Sequence, residues 1–142
     1  TKMAKIPSGS NYVIDRLKLS GENSEENKFL TNHIYIKEED NALSLLLRTT
    51  LELQGYDVID RIDIEDTTQP GIIILDSGEN NEGLELCKSL KKNLNFVNTK
   101  IIITTTIHDK AAVLDTGADL YLPKPYEISD LIRWIEYFRK TF

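Results

Sequence analysis

The sequence predicts an α/β fold: a doubly wound, five-stranded parallel sheet in a three-layer α/β/α arrangement. Two observations lead there. From residue 33 onward, short apolar strand candidates alternate with amphipathic helix candidates. Two of the strands, "GIIIL" at 71–75 and "KIIIT" at 100–104, carry unbroken apolar runs, as strands covered on both faces do. Strands separated by helices imply parallel pairing through right-handed crossovers.

Taken in order, residues 1–32 form an N-terminal arm or linker and residues 33–142 the (βα)₅ domain. The arm pairs polar, turn-forming stretches, "TKMAKIPSGS" and "SGENSEENK", with one apolar piece, "YVIDRLKL", suited to an extended arm or to one or two helical turns. "HIYIK" (33–37) reads as the first strand, ending in Glu38-Glu39-Asp40. "NALSLLLRTTLELQG" (41–55) places Leu43, Leu46, Leu47, Thr50 and Leu51 on one helical face and stops at Gly55. "YDVI" (56–59) is a short strand, and "DRIDIEDTTQ" (60–69) has room for at most a turn or two of helix. After "GIIIL", "EGLELCKSLKKN" (82–93) is a helix whose Leu84, Cys87 and Leu90, with Leu94 beyond, recur at core spacing. "KIIIT" follows, then a short helix in "DKAAVLDTG" (109–117) and a last strand in "DLYLP" (119–123). The final helix, "EISDLIRWIEYFRK" (127–140), buries Ile128, Leu131, Ile132, Ile135 and Phe138.

Composition removes several function classes. Seventeen Lys plus Arg against 23 Asp plus Glu give a net charge of −6, which argues against nucleic-acid binding by this chain. Cys87 is the single cysteine, so no intrachain disulfide or thiolate cluster forms, and its helical spacing makes it a core residue. His33 and His108 form no metal-binding pair. No apolar run approaches the roughly 20 residues of a membrane span, and no signal peptide opens the chain, so a cytoplasmic location is expected.

In open parallel sheets, ligands bind at the carboxyl ends of the strands near the switch in strand order. The residues arriving there are Glu38, Glu39 and Asp40 after the first strand, Asp76 after the third, Thr104 to Thr106 after the fourth and Lys124 after the fifth. Capping alone accounts for an isolated Asp at a strand end. It does not account for carboxylates, hydroxyls and an amine converging on one edge.

These residues resemble the receiver domain of two-component response regulators, the CheY-like domain with its flavodoxin-like sheet. The resemblance covers about residues 33–140 and rests on "YIKEEDNALSLLLRTTLELQGYDV", "IIILD", "GLELCKSLK", "IIITTT" and, most specifically, "GADLYLPKPYE". It implies Asp76 as phosphoacceptor, and Glu38 and Glu39 as the acidic pair that holds Mg²⁺ together with Asp76 and the backbone carbonyl of Gly78. It further implies Thr105 as switch hydroxyl, Tyr121 as switch aromatic, Lys124 as the site lysine and a cis Lys124–Pro125 peptide. The expected function is acceptance of a phosphoryl group from a histidine kinase or phosphotransfer protein, with a change in partner binding. Enzymatic activity would be at most Mg²⁺-dependent self-phosphorylation and dephosphorylation at Asp76.

The chain also departs from the family. The acidic pair is Glu-Glu, each one methylene longer than Asp, which leaves Asp40 as an alternative ligand. "SGENN" replaces the usual residues after the acceptor, and the second and fourth helices are shortened. The Thr register leaves Thr104 and Thr106 as alternatives. These departures support a second reading, a non-phosphorylated pseudo-receiver acting as a constitutive interaction module. A nucleotide- or FMN-binding reading fails for want of a Gly-rich loop after the first strand. Output must then lie on partners or on a longer parent chain, and Tyr121, Trp134 and Tyr137 are expected to form one aromatic interface, including a possible homodimer through the last strand and last helix.

Overall fold

The computed structural model describes residues 32–141; the N-terminal arm expected over 1–32 lies outside the described residues except for its last position. The elements run β1 (His33–Lys37), α1 (Asn41–Leu53), β2 (Asp57–Ile59), β3 (Ile72–Asp76), α2 (Glu82–Lys92), a 3-10 turn (Leu94–Phe96), β4 (Lys100–Thr105), α3 (Lys110–Leu114), β5 (Leu120–Pro123) and α4 (Ile128–Lys140). All strand pairs are parallel and the order is β2-β1-β3-β4-β5. The chain steps one way from β1 to β2 and then crosses to β3 on the other side. The switch point therefore lies between the ends of β1 and β3, where Glu38 and Asp76 emerge.

Alternation along the strands divides the core in two. Ile34, Ile72, Ile74, Ile102, Leu120 and Leu122 face Leu47 and Leu51 of α1 and Leu131, Ile135 and Phe138 of α4. Ile73, Leu75, Ile101 and Ile103 face Leu84, Cys87 and Leu90 of α2, Phe96 and Val113 of α3. Each fully buried Ile or Leu stabilises the fold by about 1.5–3 kcal/mol relative to exposure. Burial raises the Cys87 thiol pKa above its ordinary value, more than the hydrogen bond from Thr116 lowers it, in keeping with a core role.

Two expectations are corrected and a third is met at its limit. Leu94 does not continue the α2 stripe: the helix ends at Lys92, Leu94 is exposed, and Phe96 fills the core instead. Leu46 is likewise exposed, leaving α1 anchored by Leu47 and Leu51. The connection between β2 and β3 contains no helix. Its backbone is tied by side chains: Asp63 accepts from the Glu65 amide, Asp66 from the Thr68 amide, and the Gln69 amide donates to the carbonyls of Asp63 and Asp66. Four carboxylates in this short segment favour such turns over an apolar helix face. Asp119 stitches the opposite end of the sheet, accepting from Lys91 Nζ at 2.6 Å and from the Ile101 amide at 2.8 Å.

One close approach matters for the site. A Cβ on Gly83 would lie 2.0 Å from the Asp76 carbonyl oxygen, so only glycine lets the start of α2 press against the end of β3. The Gly83 amide donates to the Ser77 carbonyl at 2.9 Å and locks that contact. In a helix, Ala is favoured over Gly by about 1 kcal/mol, but overpacking costs about 1–3 kcal/mol and here involves backbone that cannot swing away. Gly83→Ala is expected to lower stability in denaturant unfolding and to shift the NMR resonances of Asp76 and Ser77. Unchanged stability would show that the contact is loose.

Candidate functional site

The carboxyl edge of the sheet gathers three charged side chains from three strand ends. Lys124 Nζ, just past β5, lies 3.0 Å from both carboxylate oxygens of Glu38 and 3.1 Å from Asp76 Oδ1. The side chains of Glu38, Asp76 and Lys124 are 1%, 12% and 18% exposed, so the three charges interact in a setting where solvent screens little. Burial on its own lowers the pKa of the Lys124 ammonium. The hydrogen bonds and charges of Glu38 and Asp76 outweigh that effect and hold it above the ordinary lysine value. The stabilisation from this pairing is present below the unfolded lysine pKa and is lost as pH rises through the higher folded value.

Local structure explains each placement. The Glu38 carboxylate bends back to accept the Asp40 amide at 2.9 Å, which fixes it over the site. Asp40 is the N-cap of α1 and accepts from the Leu43 amide, so its carboxylate serves the helix rather than the site. Asp76 ends β3 opposite Thr104 of β4. The Lys124 amide donates to the Thr105 carbonyl at 2.8 Å, and the Lys124–Pro125 peptide is cis.

Glu39 departs from the expected acidic pair. It is exposed and turns outward to Lys37 Nζ at 3.5 Å, because consecutive residues after a strand point to different sides. The structure thus brings Glu38, and not Glu39, to Asp76. Among the described residues no cluster of three or more metal-type side chains forms. Gly78 sits two residues beyond Asp76 in the left-handed region at φ +79.

A magnesium ion can be tested against this donor set. It takes hard oxygen ligands and is usually held by one or two carboxylates plus water and phosphate. Glu38 Oε1 is buried and receives no aligned hydrogen bond, which leaves an acceptor lone pair free beside Asp76. The residues fit the ion as a two-carboxylate site, Glu38 and Asp76.

The three threonines have separate fates. Thr106 is exposed, and Thr104 is buried with its hydroxyl unpartnered. The Thr105 hydroxyl lies 2.7 Å from Ser77 Oγ and accepts from the Ile107 amide at 2.9 Å. Ser77, to which the sequence assigns no role, is thereby placed next to Asp76 and against Thr105.

Tyr121 packs on the α2–α3 side of the sheet and donates to the Ile107 carbonyl at 2.9 Å. Trp134 and Tyr137 pack on the α1–α4 side, with ring centroids 5.7 Å apart and nearly perpendicular, beside an open groove of about 440 Å³ lined also by Leu122, Asp130 and Arg133. Neighbouring residues of a strand face opposite ways. The three aromatics therefore do not form the single patch expected from sequence.

Comparison with known proteins finds similarity to response regulators in sequence and to receiver domains in fold. The chain is 36% identical over 113 residues to the response regulator ArlR of Staphylococcus saprophyticus, covering 70% of this chain and 48% of that protein. It is 30% identical over 109 residues to the DNA-binding dual master transcriptional regulator RpaA of Synechocystis, covering 70% and 45%. The chain thus spans about half the length of the curated relatives it matches. Among solved structures, the signal receiver domain of a Bermanella marisrubri response regulator superposes with a TM-score of 0.62 at 25% identity, covering 75% of this chain and 97% of that one. A response regulator from Chloroflexus aurantiacus gives 0.65 at 24% identity, covering 76% and 97%. No family model matches the chain.

Removing the ammonium strands a buried carboxylate. Breaking a buried ion pair from one side costs about 3–5 kcal/mol, and the partial exposure of Lys124 puts the expected loss for Lys124→Met near the low end, about 3 kcal/mol. Urea unfolding at neutral pH checks this, and the deficit should shrink in Lys124→Met/Glu38→Gln.

Proposed function

As a relative of response regulators built on the fold of their CheY-like receiver domains, the chain is, we propose, a phosphorylatable receiver. It takes a phosphoryl group onto Asp76 from a histidine kinase or phosphotransfer protein. The observation that carries this reading is the convergence of Glu38, Asp76 and Lys124 at the switch point of the sheet.

The chemistry follows from those positions. A carboxylate oxygen of Asp76 forms a bond to phosphorus as the donor's phosphorus–nitrogen bond breaks, the electron pair leaving with the imidazole. Catalysis of such a step is mostly positioning and charge neutralisation. Lys124, already within reach of Asp76, offers a compact positive charge to a phosphoryl oxygen. The Thr105 hydroxyl supplies a hydrogen-bond donor once the phosphoryl group is in place. Glu38 and Asp76, with the Gly78 carbonyl, are the residues that would hold Mg²⁺, which when bound neutralises charge on the transferring oxygens. Glu38 also holds Lys124 in place before any transfer.

A donor needs somewhere to dock. Ala42, Leu45, Leu46 and Leu53 are exposed along α1, whose N-terminus adjoins the site. An apolar stripe at helical spacing suits the side of another helix. No helix among the described residues is long and apolar enough to cross a membrane.

One observation favours a second reading. With Glu39 turned to Lys37, the end of β1 gives the site one acidic residue beside Asp76 where the sequence offered two. A constitutive interaction module that does not accept phosphate would tolerate that loss.

Incubation with a small phosphodonor and Mg²⁺ separates the two. The receiver reading predicts one added phosphoryl mass, labile to hydroxylamine and absent in Asp76→Asn; an adduct that persists in Asp76→Asn would refute it, and no adduct in the wild type favours the module. For the metal, Glu38→Gln should weaken Mg²⁺ binding about tenfold or more, and Glu39→Gln by less than about twofold, since only Glu38 reaches the site. Equal losses in a titration of the two variants would return Glu39 to the ligand set.

A further inference from the structure

Ser77 is given no role by the receiver correspondence, yet it makes the closest contact to the residue that correspondence names as the switch. Its hydroxyl and that of Thr105 are 2.7 Å apart, and Thr105 is fully buried and Ser77 nearly so, at 3% exposure. Thr105 Oγ1 also accepts the Ile107 amide, and the Ile107 carbonyl accepts the Tyr121 hydroxyl. Four residues from three segments are thus joined hand to hand: Ser77, Thr105, Ile107, Tyr121.

A hydroxyl has one proton to give. Either hydroxyl could donate across the 2.7 Å contact. The Ile107 amide already fills one acceptor position of Thr105 Oγ1, and in the direction from Thr105 to Ser77 the one Thr105 proton goes to Ser77 Oγ. A phosphoryl oxygen on Asp76 would compete for that same proton. We propose that Thr105 donates to Ser77 Oγ, which makes Ser77 a positioning residue for the switch: it holds the Thr105 hydroxyl in the unphosphorylated arrangement and must release it when Asp76 is phosphorylated. The proposal rests on the receiver reading above and adds to it what sets the resting state.

The consequence has a definite sign. Ser77→Ala takes away the acceptor and leaves a buried hydroxyl proton unpaired, which raises the free energy of the resting arrangement. In the phosphorylated arrangement that proton goes to the phosphoryl group, so nothing comparable is lost. The balance moves toward the phosphorylated arrangement. A Ser77 that merely fills space would, when truncated, leave phosphoryl-mimic affinity unchanged or reduce it.

The test is beryllofluoride binding with Mg²⁺, measured by fluorine NMR on wild type, Ser77→Ala, Thr105→Val and the double variant. Expected are about tenfold tighter binding in Ser77→Ala, weaker binding in Thr105→Val, and no effect of Ser77→Ala once Thr105 is Val. The Ile107 amide resonance should shift in Ser77→Ala toward its beryllofluoride-bound position in the wild type. Unchanged or weaker binding in Ser77→Ala, with a wild type that binds, overturns the role of Ser77 alone. Persistence of the Ser77→Ala effect in the Thr105→Val background also overturns it. A wild type that binds no beryllofluoride overturns the receiver reading and this proposal together. Thermal unfolding of the four proteins supplies a check on folding, so that a collapsed variant is not read as a loss of affinity.

Discussion

The arrangement at the carboxyl edge depends on one cation. Lys124 is held between two carboxylates that it did not grow up beside in sequence, one at the end of β1 and one at the end of β3. Glu38 is almost wholly buried, and an ionised carboxylate in that position is tolerable only with a charge and hydrogen bonds to answer it. Lys124 supplies the charge, and the Asp40 amide supplies a hydrogen bond. Every other feature of the edge can be read as fixing the places of these three groups. The strand order puts Glu38 and Asp76 side by side, the Thr105 carbonyl fixes the Lys124 backbone, and the glycine at the start of α2 lets Asp76 sit where it does.

The same constraint separates the two layers of the protein by task. On the α1–α4 side, Asp40 caps α1 two residues after Glu38, so helix and site begin within three residues. Tyr126 packs on that side, and burial, reinforced by the charges of Glu38 and Asp76, pushes its pKa up to about 12. On the α2–α3 side lies the hydrogen-bonded run from Ser77 to Tyr121. A change of charge at Asp76 meets electrostatics on one face and hydroxyl chemistry on the other. The aromatic residues Tyr121 and Trp134 sit on opposite faces of the sheet.

Much of this was legible in the sequence because the signals were strong and local. Uninterrupted apolar runs at 72–75 and 101–103 marked β3 and β4 as central strands, and both are fully buried. Gly55 and Gly117 marked helix ends, and both adopt positive φ. What sequence reading missed was decided by side-chain direction rather than residue type. Glu38 and Glu39 are chemically identical, and only the backbone path after β1 tells which one enters the site. Leu90 and Leu94 share a helical face on paper, but α2 stops between them. Tyr121 and Trp134 were both aromatic and near the C-terminus, while the two-residue alternation of β5 set them on different layers. Ser77 carries no signal in the linear sequence, because its partner Thr105 is brought across from it only by the pairing of β3 with β4.

The central claim is that Glu38 and Asp76 together hold the Lys124 ammonium against the penalty of burial, so the most direct measurement is the titration of that ammonium itself. Carbon-detected NMR of the Lys124 side chain across alkaline pH gives it. The expected midpoint lies above the ordinary lysine value of about 10.4 in the wild type and falls below that value in Glu38→Gln/Asp76→Asn, where burial acts unopposed. A wild-type midpoint at or below the ordinary value would show that the two carboxylates do not hold Lys124, and the arrangement described for the carboxyl edge would be contradicted.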